Sequence, residues 1–125
     1  NDAGDLAAEA RQAMLLARVS GGADAMSARE ALEIATLGGA QVLGRDGELG
    51  RIAPGYQADL VIWEDNLPAQ VGAWDPVAAL VFCGPARARQ LMVAWRDVVR
   101  EGQLVSTDQR KLSDRLEFLS QALAD

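Results

Sequence analysis

At 125 residues the chain is the size of one domain and falls well short of the roughly 200 residues that a whole (α/β)8 barrel takes. Twelve Lys and Arg against eighteen Asp and Glu leave a net charge of −6, which argues against nucleic acid as a partner because phosphate neutralisation needs clustered cations. With no run of about 18 apolar residues to span a membrane, and a single cysteine that can close no internal disulfide, the composition reads as a soluble cytoplasmic chain kept dispersed by its charge.

In chain order, Asp5 is placed to cap a helix over 6–18, with Leu6, Ala10, Ala13, Met14 and Ala17 as its buried stripe and Glu9, Arg11 and Arg18 toward water. Gly21 and Gly22 end it. Ser27-Ala28-Arg29-Glu30 has the form of a capping box and opens a second helix, whose packing face is Ala31, Leu32, Ala35 and Thr36. Gly38 and Gly39 either stop that helix or let another backbone come close, since neither has a Cβ. A further helical turn over 40–43 closes at Gly44.

Pro54-Gly55 suits a type II turn, Pro fixing the first central residue and Gly supplying positive φ at the second. The apolar run Leu60-Val61-Ile62-Trp63 predicts a strand covered on both faces. After a loop over 65–72, Asp75 caps a short helix that begins at Pro76 and stops at Gly84-Pro85. Cys83, at the end of an apolar stretch, reads as a small core residue. From Ala88 the period becomes two, giving short strands at 91–93, 98–99 and 104–105. A helix over 108–123 closes the sequence, with Leu112, Leu116, Leu119 and Leu123 as its stripe.

The residues of 27–64, taken as one unit, resemble the C-terminal end of the amidohydrolase superfamily: a capped helix ending in glycines, a glycine-proline turn, then the strand from Ala58-Asp59 to Trp63. The segment from Asn1-Asp2-Ala3-Gly4-Asp5-Leu6 to Leu15-Leu16 resembles the stretch after the last barrel strand in the deaminase branch. Asp75-Pro76-Val77-Ala78-Ala79-Leu80-Val81 with Cys83-Gly84 is similar to a stretch of the 8-oxoguanine deaminase and hydroxyatrazine ethylaminohydrolase group. Met92-Val93-Ala94 through Gly102 looks like the hairpin near the superfamily's C-terminus.

The resemblance implies an α/β fold. It would be a C-terminal fragment of an (α/β)8 barrel: terminal barrel helices and connection over 1–44, part of a small composite β-sandwich with an inserted helix over 45–107, and a C-terminal helix over 108–125. It implies a metal-dependent aminohydrolase that hydrolytically deaminates a purine-, pyrimidine- or triazine-like ring. The divalent metal, zinc or iron, would be held by several histidines and one aspartate upstream and would generate hydroxide from bound water. This chain has no histidine, so none of those ligands is expected in it. Asn1 and Asp2 would lie on the loop at the C-terminal end of the last barrel strand, near the metal aspartate or the substrate; the alternative is local capping of the following helix. Asp59 is expected to make backbone or surface contacts only.

Implied partners are a small heterocyclic substrate, the rest of the same enzyme chain and further copies in a homo-oligomer, with no nucleic acid or membrane. Two departures stand out: Trp95 where relatives carry a turn glycine, which predicts another turn type, and Trp74 where the narrow group carries a histidine before the Asp-Pro. Two other readings remain, a cyclic amidase or imidazolone-type hydrolase, and a non-catalytic module binding a partner through the 108–123 helix, Trp74 and Trp95.

Overall fold

The computed structural model describes residues 4–65, 67–84 and 86–124. The chain divides into a helical unit (Asn1–Gln57 and Glu64–Arg87) and a sheet unit (Ala58–Trp63 and Ala88–Asp125). In the helical unit, α1 spans Leu6–Gly21, longer than expected, and Asp5 accepts from the backbone N–H of Ala7 and Ala8 at its start. The Ser27–Glu30 capping box is formed in full and opens α2, Ala28–Glu33. The helix then widens into a π-helical turn over Ile34–Gly38 before resuming as α3, Gly39–Val42. Gly38 and Gly39 therefore neither stop the helix nor admit a close neighbour; each keeps right-handed helical φ, and a Cβ on either would meet nothing closer than 3.8 Å.

The extra residue of the π turn shifts the helical phase. Ala31 and Ala35 follow at a spacing of four, but the next buried position is Ala40, at five, and Thr36 turns outward. The close approach expected at Gly38-Gly39 occurs instead at Gly50, whose positive φ of 88° brings it against Ala40, Leu37 and Thr36. The core of this unit is Ala10, Met14, Ala28, Ala31 and Val81, with Met26, Leu32, Ala35 and Ala78 packed on it. Val81 and Ala78 come from α4, Pro76–Phe82, capped by Asp75 as expected. The expected α1 stripe is narrower than its sequence: only Ala10 and Met14 are buried, while Leu6 and Ala13 face outward. Arg18, expected in water, lies half-buried with its Nε donating to the Met26 carbonyl at 2.8 Å. The Pro54-Gly55 turn forms, closed by the Tyr56 N–H on the Ala53 carbonyl.

The sheet unit is a four-stranded antiparallel sheet in the order β1 (Leu60–Trp63), β2 (Ala88–Val93), β3 (Arg96–Arg100), β4 (Gln103–Leu104). β1 pairs Leu60 with Met92 and Val61 with Leu91, and a bulge precedes Trp63. It is an edge strand with Val61 and Ile62 exposed, so its unbroken apolar run is not covered on both faces within this chain. The β2–β3 connection is a two-residue turn with φ of 49° at Ala94 and 66° at Trp95, the type I′ sign pattern in spite of two Cβ-bearing residues. Trp95 thus does not force another turn. The turn is held from outside by the Ala94 N–H donating to the Asp59 carboxylate at 2.8 Å and the Trp95 N–H donating to the Ala58 carbonyl at 3.3 Å. Glu101 and Gly102 make the second turn, also at positive φ. α5, Gln109–Ala124, follows, its first N–H groups met by Asp108. Its leucine stripe, read from period alone as a packing face, is exposed.

Candidate functional site

The two residues singled out for the substrate end, Asn1 and Asp2, lie outside the described residues. Just downstream, the start of α1 and the end of α4 enclose a cavity of about 320 Å³ lined by Asp5, Ala8, Arg11, Leu80, Phe82 and Gly84, among others. The apolar wall comes from α4, whose Asp75 cap and Pro76 start fix where it begins and so where Leu80 and Phe82 emerge. The Phe82 ring is held by the Arg18 guanidinium, stacked 5.2 Å from its centroid. Asp5 is already committed to two backbone N–H groups of α1, and Arg11 brings an exposed cation. Such a lining can seat part of a planar or apolar group beside a positive charge, but it carries no nucleophile and no uncommitted carboxylate.

The carboxylates whose acidity is perturbed are scattered and locally explained. Hydrogen bonds from the Ser27 backbone and hydroxyl hold Glu30 below the usual carboxylate range, and the Arg45 guanidinium does the same for Glu48. Asp97 is held low first by the hydrogen bond from Gln90 Nε2, at 3.0 Å, then by Arg100, whose Nη2 donates at 2.6 Å. These are structural pairings on exposed turns and on the sheet, and they do not converge on a cleft. Asp59 serves the hairpin turn, in agreement with its expected contact role. Cys83 is half-buried at the end of α4, with its N–H on the Ala79 carbonyl, and so is less enclosed than a core residue.

Among the described residues no group of three or more His, Cys, Asp and Glu could hold a metal ion, and the sequence contains no histidine. The described residues therefore do not fit the divalent metal that the family resemblance implies. The Gln90–Asp97–Arg100 network joins its members through strand register, and the spacing of three between Asp97 and Arg100 is the part of it legible in the sequence. Among the described residues no helix is long and apolar enough to cross a membrane.

Residues 1–105 match the model of the amidohydrolase family. The 8-oxoguanine deaminase of Pseudomonas aeruginosa is 43% identical over 100 residues, which is 78% of this chain and 22% of that protein. A 5-methylthioadenosine/S-adenosylhomocysteine deaminase of Desulfitobacterium hafniense is 31% identical over 121 residues, 96% of this chain and 28% of that protein. Among solved structures, an adenosine deaminase from Xanthomonas campestris with bound zinc superposes with a TM-score of 0.87 at 27% identity, over 96% of this chain and 28% of its own. The atrazine chlorohydrolase of Arthrobacter aurescens TC1 complexed with zinc gives 0.83 at 32% identity, over 95% and 27%. The chain thus spans between a fifth and a third of the length of these relatives.

Proposed function

We propose, from the premise that this chain belongs to the amidohydrolase family, that it is the C-terminal part of a metal-dependent enzyme that hydrolytically removes an amine from a purine-, pyrimidine- or triazine-like ring. The observation that carries this reading is the 43% identity to an 8-oxoguanine deaminase across 100 residues. That span is only 22% of the deaminase, so the activity belongs to a longer protein. In this reading residues 1–44 are terminal barrel helices and their connection, 45–107 part of a small β-sandwich with the 75–83 helix inserted, and 108–125 the C-terminal helix. The protein works in the cytoplasm on a small heterocycle and assembles as a homo-oligomer.

This chain's residues supply scaffold. The divalent metal is held by polypeptide outside it, zinc being the metal named for both structural neighbours. Asn1 and Asp2 are assigned to the substrate end in this reading, and a few residues downstream in sequence α1 and α4 line a cavity with Arg11 and Phe82. Exposed Leu6, Leu16, Val19, Val61 and Ile62 support the reading, because apolar side chains on helix and strand faces are surface that further polypeptide can cover.

The test is metal content and ammonia release by the full-length enzyme on 8-oxoguanine, 5-methylthioadenosine and an aminated triazine. Stoichiometric metal and ammonia from at least one ring are expected, while Asn1–Asp125 alone binds no zinc. Ring opening of a cyclic amide without ammonia, or tight zinc binding by Asn1–Asp125 alone, would overturn it.

A further inference from the structure

We propose that the π turn and Gly50 form one interlock: the widened backbone is what the segment after α3 seats on, and it fixes that segment's register. The segment returns to the helix it has just left at two points. The first is the Arg45 N–H, which donates to the Ala40 carbonyl at 2.9 Å. The second is Gly50, where an added Cβ would lie 2.9 Å from the Leu37 Cα and the Ala40 Cβ and 3.1 Å from the Thr36 carbonyl oxygen. Leu37 and the Thr36 carbonyl belong to the π turn, so the close approach is to backbone and no side chain can swing aside to relieve it. The segment is also braced on itself. Arg45 Nε donates to the Glu48 carboxylate at 2.6 Å, the Gln57 N–H to the Glu48 carbonyl at 2.9 Å, and the Tyr56 hydroxyl to the Asp46 carbonyl at 3.1 Å.

The helix gains nothing of its own by widening. Thr36 is exposed, with its hydroxyl turned back onto the Leu32 carbonyl at 2.7 Å. Gly38 and Gly39 have low helix propensity and weaken the α ladder where it opens, so the Gly39 N–H reaches back five residues to the Ile34 carbonyl. Removing one residue would restore the α period and leave the buried face as it is. Without Gly38, the positions Ala31, Ala35 and Ala40 stand four and four apart instead of four and five. An α turn holds fewer residues than a π turn and is narrower, so the Thr36 carbonyl and the Leu37 Cα would draw back from Gly50. The turn thus costs the helix its regular ladder and supplies a docking place for 45–57. All of these contacts lie within the helical unit and do not depend on which ring the longer protein acts on.

Four forms of the full-length protein test this: wild type, Gly50→Ala, Gly38 deleted, and both changes together. The deletion is expected to fold with a denaturation midpoint close to that of wild type. Gly50→Ala should then lower the midpoint by about half as much, or less, in the deleted background as in the wild-type one. Equal losses in both backgrounds overturn the proposal, because Gly50 then answers to something other than the widened turn. If the deletion does not fold, hydrogen exchange of Gly50→Ala decides: protection should fall over 34–42 while α1 and 28–33 keep theirs. A loss confined to 45–57, spread evenly over the helical unit, or absent overturns the interlock.

Discussion

Both units of the chain bend the backbone through positive φ, and they hold it there by opposite means. In the helical unit Gly50, at φ 88°, sits where a Cβ would lie 2.9 Å from the Ala40 Cβ and from the Leu37 Cα, so packing dictates the residue. In the sheet unit Ala94 and Trp95 take the same sign of φ with side chains present, Trp95 77% exposed, and the hydrogen bonds to Asp59 and Ala58 dictate the shape. Burial divides the same way. The helical unit encloses Met14 completely, whereas Ala58 is the one buried apolar residue described in the sheet unit. A shape imposed by packing is intolerant of added atoms; a shape imposed by hydrogen bonds tolerates the wrong residue at the cost of backbone strain.

Substitutions in the full-length protein can break or sharpen this contrast. Gly50→Ala adds a clash to an unfavourable φ and should cost about 3 kcal/mol in chemical denaturation, the sum of overpacking and left-handed terms. A loss below about 1 kcal/mol would mean that the packing gives way and the contrast fails. Trp95→Gly should stabilise by about 1 kcal/mol, since it removes the left-handed penalty and exposes nothing. If it destabilises instead, the indole is covered in the full-length protein and is a contact, not a strained ornament.

The smallest expected effect concerns Asp97. Its carboxyl is held below the ordinary value by Gln90 and then by Arg100, so its stabilising share is present above about pH 3.9 and is lost as pH falls through the lower folded value. The gap in melting temperature between wild type and Asp97→Asn should therefore be steady near neutrality and close in acid. A gap independent of pH would assign the network's role to hydrogen-bond geometry alone.

Much of this was legible in the residues. The caps at Asp5, Ser27 and Asp75 act over three or four positions, and each formed where its sequence placed it. The hairpins followed from the change to period two. The misreadings involve terms that do not act locally. A π turn has no composition signal, so period alone puts Thr36 on the packing face, which instead passes from Ala35 to Ala40, one residue later than an α-helix would bring it. The unbroken run of Leu60–Trp63 records an environment that this chain alone does not supply, and pattern cannot say who provides it. The proposed site stayed thin for the same reason: the sequence has no histidine, and the described residues bring no group of metal-ligating side chains together.

The tie between Asp59 and Ala94 joins positions 35 residues apart and closes off everything from β1 to β2, α4 included. Chain-closure entropy grows only logarithmically, so doubling that excursion would add about 0.6 kcal/mol to the cost of forming the sheet. The stretch that carries the cavity's apolar wall is thus the stretch whose length the sheet resists least.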